Sequence, residues 1–233
     1  MPARAPLVLV PGLLCTAALF APQIAALRDT TSISVADHTR HDSIAAIARD
    51  ILDAAPPRFA LAGLSLGVII AFEILRQAPT RVERLAVMDG RAELDNAETK
   101  ASRRAYLEMA RTGRFTEITS DHLLPKLIHP ARLTDAALVQ TILDMAEATG
   151  PAAFIRQETA LLDRDDHTSM LSDIRCPTLV MVGEADAITP VPMVRAMAAQ
   201  IPGARFEIIA GSGHLTTLER PQETTALLRE WLS

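Results

Sequence analysis

Phe59-Ala60-Leu61-Ala62-Gly63-Leu64-Ser65-Leu66-Gly67 is the stretch on which the fold turns. The apolar run Phe59 to Ala62 predicts a buried strand, Ser65 to Gln77 has the spacing of a helix, and Gly-x-Ser-x-Gly joins them. A strand-to-helix turn this sharp holds its serine in strained dihedrals, and Gly63 and Gly67 remove side chains that would otherwise collide. Ser65 is then presented at the C-terminal edge of a sheet. The following helix points its free N–H groups toward the same spot, which favours developing negative charge. The simpler alternative is a tight turn whose serine only caps a helix.

A serine hydroxyl is a poor nucleophile unless a base takes its proton, so the turn predicts a downstream histidine and an orienting carboxylate. Asp186 follows an apolar run, Leu179 to Val182, within Gly183-Glu-Ala-Asp186-Ala-Ile-Thr-Pro190. His214 follows the run Arg205 to Ile209, within Gly211-Ser-Gly213-His214. In a parallel sheet the C-terminal ends of the strands meet at one edge, where ligands bind, so residues far apart in sequence can converge there. Taken singly, Asp186 and His214 read as loop residues. In order behind the serine turn, they read as a Ser65-His214-Asp186 triad.

Outward from these motifs, strand candidates Leu7 to Val10, Ser32 to Ala36, Phe59 to Ala62, Leu85 to Met88, Leu179 to Val182 and Arg205 to Ile209 alternate with amphipathic stretches. One such stretch, Ser43 to Ala55, carries Ile44, Ile47, Ala48, Ile51 and Leu52 at helical spacing. The alternation predicts an α/β chain with a mostly parallel sheet of about six strands and helices on both faces. From Arg91 to about Leu171 the pattern turns wholly helical. Residues 1–90 and 172–233 are therefore expected to form the core, and 91–171 an inserted helical cap.

The 233 residues suit one domain with an insertion. With 23 Lys and Arg against 28 Asp and Glu, the net charge is −5, which disfavours nucleic acid as a partner. One Trp, one Tyr and six Phe provide no array of stacking platforms for single strands or sugars. Two cysteines, Cys15 and Cys176, make no disulfide framework, so a reducing, cytoplasmic setting is expected. Leu7 to Leu27 is uncharged, yet Pro11, Gly12, Thr16, Pro22 and Gln23 argue against a membrane-spanning helix. A strand, a turn and a helix beginning near Thr16 are expected instead.

On Val10-Pro11-Gly12, Gly-Leu-Ser-Leu-Gly, Gly183-x-x-Asp186-x-x-Thr189-Pro190 and Gly213-His214, the chain resembles the α/β-hydrolase superfamily. It is most similar there to small single-cap carboxylesterases, including those cleaving pimeloyl methyl esters, and 3-oxoadipate enol-lactonases. The resemblance implies an α/β-hydrolase fold and an oxyanion hole built from the backbone N–H groups of Leu13 and Leu66. It also implies a small ester or lactone substrate and no cofactor. Three departures stand out. Pro11-Gly12 replaces the His-Gly of many relatives, Val68 stands where many have another glycine, and little chain precedes Leu7 to supply two opening antiparallel strands.

Asp37-His38-Thr-Arg-His41-Asp42 has metal-ligand residue types, but its place before a helix reads as a strand-to-helix loop capped by Asp42 or Ser43, and no metal is expected. His122, His129 and His167 read as surface or hydrogen-bonded histidines. Cys15 and Cys176 read as buried apolar residues, with Cys15 close enough to the Gly12 loop to line a pocket. Leu107, Met109, Leu143 and Met145 read as the cap's own core, and Arg91, Arg103, Arg104, Arg132 and Arg156 as anchors for a substrate carboxylate or as solvated charges. No dinucleotide, nucleotide or zincin motif is present. The expected activity is hydrolysis of small carboxylic esters or lactones by acyl transfer through Ser65. The alternatives are carbon–carbon hydrolysis or cofactor-free perhydrolysis by the same triad, and a non-catalytic receptor on the same fold.

Overall fold

The computed structural model describes residues 4–233. Its strands are β1 (Leu7–Val10), β2 (Ile33–Val35), β3 (Phe59–Leu64), β4 (Val82–Met88), β5 (Thr178–Gly183) and β6 (Arg205–Ile209). They form one six-stranded sheet in the order β2-β1-β3-β4-β5-β6, and every neighbouring pair is parallel. β1, β3 and β5 are buried along their whole length, as strands covered on both faces must be. Val8, Val10, Leu61, Val87 and Val180 face one side of the sheet; Leu7, Leu9, Ala62, Met88 and Met181 face the other.

The longer helices are α1 (Ala21–Leu27), α2 (Ile44–Ala54), α3 (Leu66–Gln77), α4 (Ala97–Arg111), α5 (Ala136–Leu162), α6 (Val191–Ala198) and α7 (Pro221–Trp231). α2, α3 and α6 pack on the first face, while Leu27 of α1 and Leu228 and Trp231 of α7 pack on the second. The uncharged run from Leu7 to Leu27 resolves into β1, a short 3-10 turn Ala17–Phe20 whose N-cap Thr16 accepts from the Ala18 N–H, and α1. Among the described residues no helix is long and apolar enough to cross a membrane.

Three strands extend beyond the sequence expectation, β5 by Thr178 and Gly183 at its two ends, while β2 is shorter than expected at Ile33–Val35. β3 continues to Leu64, and β4 starts at Val82 because Val82 pairs with Phe59 before the charged Glu83 and Arg84 interrupt the apolar pattern. Those charges are tolerated because Glu83 pairs with Arg58 and Arg84 donates to the Trp231 carbonyl. Among the described residues no strand lies between β4 and β5. That stretch holds α4, a π-helix Ile118–Leu123, several short turns, and α5, which breaks at Gly150 (φ 74°) with Pro151 starting its second half.

The strand order changes direction between β1 and β3, since β2 lies outside β1 and β4 to β6 continue from β3. The loops leaving β1 and β3 therefore diverge and open a crevice at the C-terminal edge, the place where such sheets bind ligands. α3 enters this crevice at very close range: a Cβ on Gly67 would lie 2.0 Å from the Val10 carbonyl oxygen, and one on Gly63 would lie 2.3 Å from the Gly67 oxygen. Gly67→Ala must push backbone against backbone. It should lower the stability by about 1–3 kcal/mol in a urea titration, and an unchanged midpoint would contradict this approach.

Candidate active site

Ser65 sits between the end of β3 and the first turn of α3 with φ 56° and ψ −115°, a left-handed conformation for a residue with a side chain. Its N–H donates to the Met88 carbonyl at the end of β4, so the neighbouring strand fixes the strained turn. Three residues placed in separate loops come together here. Ser65 Oγ lies 2.8 Å from His214 Nε2, and His214 Nδ1 lies 2.8 Å from Asp186 Oδ2. A carboxylate can only accept, so Nδ1–H donates to Asp186, and Nε2 is left as the acceptor facing the Ser65 hydroxyl.

Asp186 is itself fully engaged. Oδ1 accepts from the Ile188 and Thr189 N–H groups at 2.8 and 2.9 Å, and Oδ2 accepts from Thr189 Oγ1 at 2.7 Å. Burial pushes its carboxyl up, but His214 and the Thr189 hydrogen bonds outweigh that and hold it below the usual range. For His214, burial disfavours the imidazolium, while the Asp186 charge and hydrogen bond more than compensate, so its pKa lies above the ordinary histidine value.

Asp89, a second buried carboxylate that also follows a strand, does not bond to the imidazole. It follows β4 with φ 48°, accepts the Gly183 N–H on Oδ1 at 2.9 Å, and accepts Thr216 Oγ1 on Oδ2 at 2.6 Å. It thus ties together the loop that carries Asp186 and the loop that carries His214. Burial and then the Asp186 charge push Asp89 up to about 8, so of two buried neighbouring carboxylates one keeps its charge at neutrality. Glu219 performs a similar tie: Oε1 accepts the Gly213 N–H at 2.7 Å and Oε2 accepts the His129 N–H at 2.7 Å. Sequence reading passes over Glu219, because an acidic residue five positions after a histidine carries no signal of its own.

A cavity of about 330 Å³ opens over Ser65. Leu13 and Leu66 both line it beside the serine, Leu66 as the first residue of α3. The 91–171 segment contributes an apolar wall that includes Leu123, Leu127, Ile142 and Met145, and a polar side that includes Arg91, Ser102, Arg103, Tyr106 and Glu158. Met145 was expected inside the segment's own core. It instead faces the cavity and packs with side chains of the sheet.

Of the candidate arginine anchors, Arg91 and Arg103 reach the cavity while paired with Asp95; Arg132 pairs with Asp135, Arg156 donates to the Thr39 carbonyl, and Arg104 is exposed. Cys15 lines the cavity too, but burial pushes its thiol up to about 12, which removes thiolate reactivity near neutrality. In the Asp37–Asp42 loop the residues face apart. Asp37 accepts from Thr39, His41 Nε2 lies 3.0 Å from Asp50, and His38 turns inward onto the Gly12 carbonyl. His167 is buried 3.3 Å from Glu73, and His129 Nδ1 accepts the Ala131 N–H.

This arrangement can transfer a proton from Ser65 to His214 while Asp186 stabilises the resulting imidazolium. If Asp186 does so, Asp186→Asn should lower kcat by about 10⁴-fold, since the amide offers Nδ1–H the wrong partner. Asp89→Asn should cost far less, because an amide can still accept from Gly183 and donate to Thr216. The reverse order in steady-state kinetics would contradict the assignment.

Comparison with known proteins agrees with the fold. The model of the alpha/beta hydrolase family matches residues 7–227. The chain is 27% identical to a putative carbamate hydrolase, RutD, of Azorhizobium caulinodans, over 97% of this chain and 90% of that protein. Its fold superposes on a malate-bound thermophilic esterase of Thermogutta terrifontis with a TM-score of 0.89 at 28% identity, covering 98% and 89% of the two chains. On the enol-lactonase of Burkholderia xenovorans LB400 the TM-score is 0.88 at 22% identity, covering 98% and 91%, a likeness of fold. With a family match over nearly its whole length, on a six-stranded parallel sheet, the chain belongs to the α/β-hydrolase family and is an enzyme of the hydrolase type.

Proposed function

We propose that the chain is a cofactor-independent serine hydrolase of small carboxylic esters or lactones. The observation that carries this reading is the unbroken relay of two 2.8 Å contacts, Ser65 Oγ to His214 Nε2 and His214 Nδ1 to Asp186 Oδ2, at the floor of the cavity. In this reading His214 takes the Ser65 proton as Oγ attacks the acyl carbon, then donates it to the leaving alcohol. The acyl-enzyme is released by water that His214 activates in the same way. The N–H groups of Leu13 and Leu66 donate to the oxyanion, a contribution worth about 10²- to 10³-fold per donor.

The 91–171 segment acts as a cap over this floor and sets access and selectivity. A cavity of about 330 Å³ suits a small substrate, with its apolar wall against an acyl or alcohol chain. An ester and lactone panel, with a carbamate included because of the relative's name, should give turnover that Ser65→Ala reduces by about 10⁴- to 10⁶-fold. A folded Ser65→Ala protein with more than about a tenth of wild-type turnover overturns the reading. Product analysis on the same panel separates hydrolysis from perhydrolysis and carbon–carbon cleavage.

His214 must be neutral to accept a proton, so kcat/KM should fall as pH drops through the pKa of the free enzyme. Because that pKa is raised, the midpoint should lie above about 6.5, the value of an unperturbed histidine. A profile flat from about pH 8 to about pH 5 contradicts the general-base role.

A further inference from the structure

His38 and the Gly12 carbonyl make a buried contact that the acyl-transfer steps above leave unused. Gly12 O and Leu13 N belong to one peptide unit, and in a trans peptide the C=O and N–H point in opposite directions. Whatever holds the carbonyl therefore aims the N–H. His38 Nε2 lies 2.9 Å from Gly12 O, and the Cys15 N–H donates to the same oxygen at 3.1 Å. An approach this close to a carbonyl oxygen requires a hydrogen between the two atoms, so Nε2–H is the donor.

A second buried side chain, Gln157, whose Nε2 lies 3.3 Å from His38 Nε2, holds the loop as well. Gln157, fully buried in the second half of α5, accepts the Leu14 N–H on Oε1 at 3.3 Å, and Leu14 has φ 59°. Gly12 also packs directly against the nucleophile, since a Cβ placed on it would lie 3.3 Å from Ser65 Cβ. We propose that His38 is a positioning residue for the oxyanion hole, which fixes and polarises the Gly12–Leu13 peptide so that the Leu13 N–H meets the developing oxyanion. The proposal rests on the reading of Leu13 as an oxyanion donor given above.

Two physical effects act together. Orientation is set because rotating the peptide plane would break the His38 bond in a site where His38 is 2% exposed and no water can replace it. Polarisation follows because a hydrogen bond accepted at the carbonyl makes the N–H of the same amide a stronger donor. Burial lowers the His38 pKa despite the opposing pull of the Gly12 carbonyl and Asp37, which keeps the ring neutral. His38 supplies from the loop after β2 a support for the Gly12 loop, where Pro11 has no side-chain donor of its own.

The test compares His38→Phe, which keeps an aromatic ring without the donor, with His38→Gln, which restores an N–H at similar reach. Each is assayed on p-nitrophenyl butyrate and on its thiono counterpart, in which C=S replaces C=O. Sulfur accepts hydrogen bonds weakly, so a working oxyanion hole favours the oxo ester. The ratio of the two rates does not depend on how much of the protein is folded, and His38→Leu replaces the Phe variant if that one does not fold. Expected for His38→Phe is a fall in kcat of about tenfold or more, a KM within about threefold of wild type, and a fall in the oxo-to-thiono ratio by a similar factor. His38→Gln should recover most of both.

Wild-type kcat and ratio in His38→Phe, a change confined to KM, or a Gln variant no better than the Phe variant would each overturn the role of His38. A wild-type enzyme that does not discriminate the two esters would instead overturn the oxyanion reading of Leu13. Wild-type failure on both esters would overturn acyl transfer and the proposal with it.

Discussion

The close approach of α3 to the end of β1 is the constraint on which the site depends. Gly67 lies so near the Val10 carbonyl that no side chain fits, and Ser65 takes a left-handed conformation to turn the chain from β3 into that helix. The strain is sustained because β3 is fully buried between β1 and β4 and the Ser65 N–H is bonded to β4. One backbone arrangement therefore places the serine, brings the Gly12–Leu13 peptide beside it, and points the start of α3 toward the same spot.

Around that arrangement the charges are distributed unequally. Asp186 is surrounded by donors and holds its negative charge, while Asp89, equally enclosed but with fewer donors, is pushed up. A second full charge beside Asp186 would be costly in a dry site, so Asp89 serves better as a tie between loops than as a second partner for the histidine. Residues 91–171 are hydrogen-bonded to the loops around Ser65 and His214. Leu127 accepts the His214 N–H, the His129 N–H reaches Glu219, and Gln157 reaches Leu14. Substitutions in these residues can thus shift the loops beneath the cavity as well as its lining.

Much of this is legible in the sequence because the informative features are local. Gly63-Leu-Ser65-Leu-Gly67 specifies the turn, and each of Ser65, Asp186 and His214 follows a strand, so the parallel sheet brings them to one edge. The strand count follows from apolar periodicity, and the larger boundary shifts, in β3 and β4, fall where Gly63-Leu64 looked like turn and where Glu83 and Arg84 masked a pairing residue. What is not legible depends on the direction of a side chain across the fold. His38 sits among Asp37, Arg40 and His41, and nothing in that run says that His38 alone turns inward. Gln157 and Glu219 look like ordinary helix polar residues until the distant backbone groups they meet are known. That Met145 and Ile142 of α5 face the cavity is likewise set by the fold and not by their spacing.

The central claim is that Ser65 becomes acylated during turnover. It is tested most directly by mixing the enzyme with p-nitrophenyl butyrate, quenching within the first turnovers, and measuring intact and peptide masses. The account predicts a butyryl adduct on Ser65, formed in step with a burst of p-nitrophenol and absent in Ser65→Ala. Sustained hydrolysis with no adduct in a time course that resolves the burst, or an adduct on another residue that persists in Ser65→Ala, would contradict it.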